Sequence, residues 1–577
     1  MTLKSKCAAF LIVLIFALSA CGQSNTGSSS TQSGDSGTTP QTEASDTSSG
    51  ASDAADTPTD ASDSSSEAAV TVPKDWKEPY AEPITVTICN VQYAAMRFAP
   101  GEDAANNLWT KRFKELYNVD VVVVWTADSA DYDQKLNLAI AAADIPDSFL
   151  ANNNHFKQLK DAEMLQDITD AFESNASPQL KEMMDDDKEI FDTAKINGRV
   201  YGIPGLHYGY ITMLDLMWIR NDWVAQSSTG EPKSFQDYEA LMAEFKDKFG
   251  AEYGLPLDRR MDPFLLSAPM WHASPNRWVK DSSGQIVYGA TLPETKTALA
   301  KWADWYSQGY IRPDFATIDD IARNQDIVNG KIGLHPGQNW LGWVNGVELV
   351  QNHGNEAYFR SFTMFAEDGK QVKQVVEFPN GWYTVVRKGY EHPEVLPKLV
   401  SDYAYITGAA VSLGDVDVED VLPFTTNDMH HVPRPFYITF PKGHDVDTVE
   451  VTTAIETGVE KFSAGWGAGF YAESKKWVDD KDPVGLGRWL QMGSRDSSLW
   501  KNVQRVEAGE CVRSDMWGMP PDTLLEYGEV LNDVLFEGYA RIIMGSEPID
   551  YFETLIDNWR AAGGDAATAA VNEVYGS

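Results

Sequence analysis

The side chains of this 577-residue chain that are best suited to chemistry are aromatic and amide rather than catalytic. There are 18 Trp, 23 Tyr and 24 Phe, enough to fill large cores and leave a minority for stacking on a ligand. The 9 histidines include no His-Glu-x-x-His pair, and the cysteines have no zinc spacing, so no metal is expected. His430-His431 are adjacent and read as loop residues. A Gly-x-Ser-x-Gly elbow and a Walker A sequence are both missing, so any ATP hydrolysis must come from another polypeptide. Gly465-Trp466-Gly467-Ala468-Gly469 has the wrong spacing for a dinucleotide loop and reads as a flexible glycine segment carrying one Trp. Asp415, Asp417, Glu419 and Asp420 lack the mid-loop Gly of an EF-hand. With 85 acidic residues a glycosidase pair can always be imagined, which makes it weak evidence. No cofactor is expected.

The elements that position polar residues come early. Ile84 to Asn90 reads as a strand, and Trp109, Phe113, Leu116 and Tyr117 as one helical face. Val119 to Trp125, with four consecutive valines, predicts a strand buried on both faces of a parallel sheet. Tyr132, Leu136, Ala139, Ile140 and Ala143 make a second helix, and Ser148 to Ala151 a third strand. This is a βαβαβ unit, and in open α/β sheets ligands sit beyond the carboxyl ends of the strands. Asn90, Gln92 and Tyr93, and Asn152, Asn153, Asn154 and His155, are therefore cleft candidates, because amides offer paired donors and acceptors to hydroxyl-rich ligands. The competing reading is that such Asn-rich loops cap helices and make turns.

The first twenty residues read as an export signal, with Lys4 and Lys6 before an apolar run from Ala8 to Leu18 too short to span a bilayer. Leu18-Ser19-Ala20-Cys21 resembles the lipobox of bacterial lipoproteins, which implies that Cys21 is acylated and becomes the mature N-terminus. From residue 21 to 72 the chain is acidic and rich in Ser, Thr, Gly and Ala, and it is expected to be a disordered tether holding the body roughly 40 Å from the lipid. The net charge is −38, and losing Lys4 and Lys6 makes the mature chain about −40, which argues against nucleic acid or an anionic membrane surface as partner. With Cys7 leaving in the signal, Cys89 and Cys511 remain, and either one disulfide or two free thiols fits.

Later segments are readable in part. Residues 235 to 249, 294 to 306, and Pro393 to Tyr405 carry helical periodicity, and Trp382 to Arg387 reads as a strand after the turn at Asn380-Gly381. Ile549, Phe552, Leu555 and Trp559 form a late helix ending at Gly563-Gly564. Between about Asp415 and Trp517 the glycines, prolines and aromatics suggest long loops around a cleft.

Three stretches carry a family resemblance: Lys135 to Asp147, Ile196 to Pro204 and Met217 to Trp223. With Pro293-Glu294-Thr295-Lys296, Gly309 to Phe315, Asn329 to Gly333, and the ending from Gly545 to Tyr575, they look like the extracellular solute-binding proteins of carbohydrate ABC importers, in the LipO-like lipoprotein branch. The resemblance implies a type II periplasmic-binding-protein fold: two α/β lobes, a ligand cleft and crossover hinge segments. Lobe 1 is expected at 75–207 plus about 383–445, and lobe 2, with the C-terminal helices, at about 208–382 plus 446–577. It implies a monomer without catalysis, lipid-anchored outside the bacterial membrane, that captures an oligosaccharide and delivers it to permease subunits served by a separate ATPase. Some alginate-binding relatives hold calcium in an acidic loop, but the matching Asp-x-Asn-Gly-x-Gly run is absent here.

Sugar binding needs aromatic faces against pyranose rings, flanked by fixed polar groups. Trp340 and Trp343 follow a strand-then-loop context where related proteins place a stacking aromatic, and His207 and Tyr208 lie where such chains first cross between lobes. Trp271, Trp382 and Trp466, in polar or glycine-containing surroundings, are secondary platforms, whereas Trp109, Trp302, Trp305 and Trp559 sit on helical stripes and belong to the core. Rival readings are a surface-anchored glycoside hydrolase or lyase, the same fold binding a peptide or an anionic sugar, and a structural adhesion protein.

Overall fold

The computed structural model describes residues 73–92, 98, 100–128, 131–379, 381–426 and 434–576. Cys21, the tether, Tyr93 and His430-His431 lie outside them. The expected βαβαβ unit is present as β1 (Ile84–Gln92), α1 (Leu108–Tyr117), β2 (Val119–Asp128), α2 (Tyr132–Ala141) and β3 (Ser148–Asn152), followed by α3 (Asn153–Asp161). Both β2 and β3 run parallel to β1. Strand Trp382–Val386 adds antiparallel to β3, and Gly202–Pro204 adds beyond it, completing five strands.

One expectation fails here. The valine strand β2 is not buried on both faces: Val122 is 43% exposed and Val124 49%, because β2 is the sheet's edge and has a neighbour on one side only. Inner strands behave as buried strands should. Val86 and Ile88 face a core shared with Trp109 and Phe113 of α1. Phe149, Ala151, Tyr383 and Val385 face another, shared with Leu136 and Ile140 of α2 and with Phe156 of α3. Trp109 lies in the first of these cores, as its helical stripe predicted.

A second sheet has Leu216–Arg220 at its centre, antiparallel to Leu334–Gly337 on one side and Phe359–Phe362 on the other. One core joins Met217, Ile219 and Leu334 to helices Phe235–Glu244, Pro293–Ser307, Asp522–Ile543 and Tyr551–Trp559, and it buries Trp302, Trp305 and Trp559. Another joins Leu216 and Trp218 to helix Leu341–His353.

The stretch expected to be loops is instead helical. Val418–Thr425, Gly443–Thr457, Gly465–Asp480, Pro483–Met492 and Ser498–Glu507 are helices. The flexible glycine segment is the first turn of one of them, and Trp466 sits on that helix rather than in a loop. Glycine here permits close packing. A Cβ at Gly469 would run into the carbonyl of Thr425, at Gly485 into that of Glu473, and at Gly487 into Trp343. These helices contribute Val451, Trp466, Phe470 and Leu499 to a core of the first sheet, and Trp477, Leu486 and Leu490 to a core of the second.

Three passages of chain link the sheets. Near the first, Gly209 holds φ at +123°, with Asp445 Oδ2 2.7 Å from where a Cβ would sit, so glycine is required. In the second and third, Gln374–Val376 and Cys511–Arg513 run parallel as a two-stranded ribbon. Asp215 ties the first passage to the second and to the helix that leads into the third. Its backbone N donates to Gln374 Oε1 at 2.8 Å, its Oδ2 accepts from Gln374 Nε2 at 2.6 Å, and its carbonyl accepts from Arg505 Nη1 at 2.6 Å. Burial pushes its carboxyl up to about 7 against the pull of Arg277 and Arg505. Cys89 and Cys511 are both free, and burial raises their thiols to about 12 and about 11.

The described chain opens as a strap over helix Val395–Ala404. Buried Lys398 donates from Nζ to the carbonyls of Asp75 at 2.7 Å and Glu78 at 2.5 Å. Tyr80 Oη donates to Glu394 Oε1 at 2.9 Å, and the rings of Trp76 and Tyr405 lie 5.5 Å apart.

Candidate functional site

Strand Leu334–Gly337 ends beside the first passage, and Trp340 follows at the start of helix Leu341–His353. Trp218 Nε1 donates to the carbonyl of Gln338 at 3.0 Å, fixing the intervening loop. Trp340 is left 42% exposed, and Trp343 stands one turn further on. Both line a cavity of about 680 Å³. Tyr208 and Thr212 from the first passage, Tyr403, Tyr437 and Phe440, and His444, Trp466 and Phe470 from the glycine-packed helices complete its aromatic wall.

A chain of buried hydrogen bonds supports that wall. Asn339 Nδ2 donates to the carbonyl of Thr212 at 2.9 Å, Gln491 Nε2 to Asn339 Oδ1 at 2.7 Å, and Arg488 Nη1 to Gln491 Oε1 at 2.5 Å. Arg488 Nε reaches Glu473 Oε2 at 3.2 Å. Its guanidinium lies 4.1 Å from the Phe470 ring centre and 5.4 Å from that of Trp343. Tyr208 stacks on His444 at 4.7 Å and Trp466 on Phe470 at 5.5 Å. Burial raises the Asp447 carboxyl above its ordinary range, with the adjacent His444 pulling the other way. Aromatic faces braced by fixed amides bind rings that carry hydroxyls.

A second cavity, about 520 Å³, adjoins the first through shared Tyr208, Thr212 and Tyr437. It is built at the passages, from Gly205 to Tyr208, Glu377 to Pro379, Trp382, Met516 and Pro520, with Asn153 of α3. His207 sits here, its backbone N donating to Asp187 Oδ2 at 3.0 Å and its ring edge-on to Tyr210 at 5.1 Å. Burial, and secondarily Arg513, push its imidazole down to about 4.

Seven sequence candidates are thus brought together: Trp340, Trp343 and Trp466 in the aromatic cavity, Asn153, His207 and Trp382 in the crossover cavity, and Tyr208 between them. Tyr93 lies outside the described residues, and the remaining candidates are placed elsewhere. Asn152 and His155 form the capping box of α3, Asn152 Oδ1 accepting from His155 N at 2.9 Å, which is the turn-and-cap alternative for such loops. Asn154 sits in the same first turn and lines neither cavity. Asn90 is buried in β1 and Gln92 is exposed at its end. Trp271 is packed in the core of the second sheet, edge-on to Trp305, its Nε1 donating to Glu367 Oε2 at 2.7 Å, so polar neighbours in sequence misplaced it. Missed by sequence reasoning were Asn339, His444, Asp447, Phe470, Arg488 and Gln491. The signal was helical spacing, 444 with 447, 466 with 470 and 488 with 491, hidden among glycines.

Comparisons with known proteins bear on the fold that carries these cavities. Residues 109–369 match the family of bacterial extracellular solute-binding proteins. The matched span contains the motif stretches 135–147, 196–204 and 217–223. Over 500 residues the chain is 22% identical to lipoprotein LipO of Bacillus subtilis (strain 168), covering 81% of this chain and 88% of that one. It resembles an alginate-binding protein crystallised without calcium ion, with TM-score 0.59 and 16% identity over 87% of this chain and 100% of the other. An HMO-binding, ABC-transporter-associated solute-binding protein from Bifidobacterium longum infantis gives 0.58 at 13% identity, covering 86% and 99%. An S. pneumoniae ABC-transporter substrate-binding protein in complex with kestose gives 0.55 at 14% identity, covering 85% and 99%. The likeness is one of fold: the α/β binding-protein architecture expected from the sequence.

Proposed function

We propose that this chain is the substrate-binding component of an ABC importer, capturing an oligosaccharide between its two lobes and handing it to a membrane permease. One observation carries the reading: the aromatic cavity takes walls from both sides, Trp340 and Trp343 from the second sheet's helix and Tyr403 and Trp466 from elements packed on the first. A ligand touching both sides favours the closed arrangement by its differential affinity for that state. The ligands of the fold neighbours, alginate, HMO and kestose, support a carbohydrate. Binding alone suffices for this role, so the chain makes and breaks no bond. Cys21, acylated, would hold it outside the membrane near its permease.

The test is a thermal-shift screen of the mature chain against mono- and oligosaccharides, followed by product analysis. A true ligand at 100 times its Kd should stabilise by about 2.7 kcal/mol. Flat melting curves across the panel, or turnover of the bound sugar, would overturn the reading.

A further inference from the structure

The aromatic and crossover cavities carry little charge, and its distribution is uneven. Among the described residues lining them, the Asp, Glu, Lys and Arg side chains are Asp447, Glu377 and Arg488. Glu377 Oε2 faces Arg277 Nη1 at 3.3 Å. Arg488 is engaged by buried Glu473 at 3.2 Å and by Gln491 at 2.5 Å. Asp447 is buried in the wall and has no such guanidinium partner. From its own helix it is faced by His444, whose Nδ1 is 3.8 Å away and pairs with it only when protonated, and by Glu450; from helix Pro483–Met492 it feels Arg488. Two glycines pack closely against it: a Cβ at Gly467 would lie 3.1 Å from Asp447 Oδ1, and one at Gly443 4.0 Å from Oδ2, so no side chain from either position stands between the carboxylate and the cavity that it lines.

We propose that Asp447 sets the charge of the ligand: the aromatic cavity takes sugars that donate hydrogen bonds to this carboxylate, from hydroxyl or ammonium groups, and rejects uronates. The inference rests on the carbohydrate reading above. An ionised carboxylate only accepts, and hydrogen bonds to it are about twice as strong as neutral ones. A sugar carboxylate brought beside it in a water-poor, ring-lined space meets like charge, and one of the two must take a proton before both fit. An ammonium group gains from the same rings that would enclose it. Burial already raises Asp447 toward protonation, with Glu450 adding to the shift and His444 and Arg488 opposing it. Rejection of uronates should therefore weaken as pH falls.

The experiment is calorimetric titration of the mature chain with glucose-, mannose- and galactose-based tetrasaccharides and their 2-amino and uronate counterparts. For whichever series binds, the uronate is expected at least roughly tenfold weaker than its neutral parent, and the amine equal or tighter. That gap should narrow at pH 5 relative to pH 7.5. Asp447→Asn should shrink the neutral-to-uronate ratio while Asp447→Glu preserves it, with melting curves checking that both variants fold. A uronate that binds the unaltered protein as tightly as its neutral parent overturns the inference whatever the variants do, and so does a ratio that survives in Asp447→Asn. If no neutral, amino or uronate sugar binds, the carbohydrate reading itself fails and takes this inference with it.

Discussion

The aromatic cavity and the crossover cavity share Tyr208, Thr212 and Tyr437, yet different physics holds them. The first is lined by rings on helices that glycines draw into near backbone contact, and its amides are locked in one chain from Thr212 to Glu473. The second is lined by the linking passages themselves, whose anchor is one buried residue, Asp215, its carboxyl bonded by Gln374 and its backbone carbonyl by Arg505. A wall of that first kind is preorganised, so it discriminates between ligands. Under the proposed capture between two lobes, passages of the second kind would change shape on closure and serve the motion more than the selection.

The contrast can be broken at its strongest point by Arg488→Ala. Removing the guanidinium breaks its buried ion pair with Glu473, and unfolding free energy from urea titration should fall by about 3–5 kcal/mol, with ligand stabilisation lost as well. Next is Trp340→Ala. Its ring is 42% exposed, so the unliganded melting temperature should hardly move while sugar affinity drops roughly tenfold to a hundredfold, a loss of about 1–3 kcal/mol measured by calorimetry. Trp382→Ala, in the crossover cavity, should weaken binding by less than about threefold. If it costs more than Trp340→Ala, the roles of the two cavities are reversed.

The smallest effect concerns His207. Its folded value, about 4, lies below its ordinary unfolded value of about 6.5, so folding disfavours the proton. The stability this group contributes is complete above about pH 6.5 and is lost as pH falls toward about 4. His207→Phe should therefore lose less stability than the unaltered chain between pH 7 and pH 4, read by melting at each pH. Equal slopes would show that burial does not govern this imidazole.

Much of the fold was legible where periodicity is clean. The βαβαβ unit and strand Trp382–Val386 fall within a few residues of expectation because their apolar spacing answers to one sheet. The valines of β2 misled because a run of β-branched residues reports strand, not position within a sheet, and an edge strand leaves Val122 and Val124 to solvent. Helices between Gly443 and Glu507 were illegible for a different reason: glycine was read as a breaker where it is the residue that lets two backbones touch. The same misreading hid Arg488 and Asp447. Trp340 could be found because its strand-then-loop setting is local, whereas Trp271 could not, since its partner Glu367 comes from 96 residues away.

The strap at the start of the described chain has a mechanical consequence. Tension arriving at Pro73 meets Lys398, Glu394 and Tyr405 before anything else, so the load enters through helix Val395–Ala404 and the adjoining π-helical turn. None of these groups belongs to the ribbon Gln374–Val376 with Cys511–Arg513 or to Asp215, so a load applied at Pro73 bypasses the passages that link the two sheets.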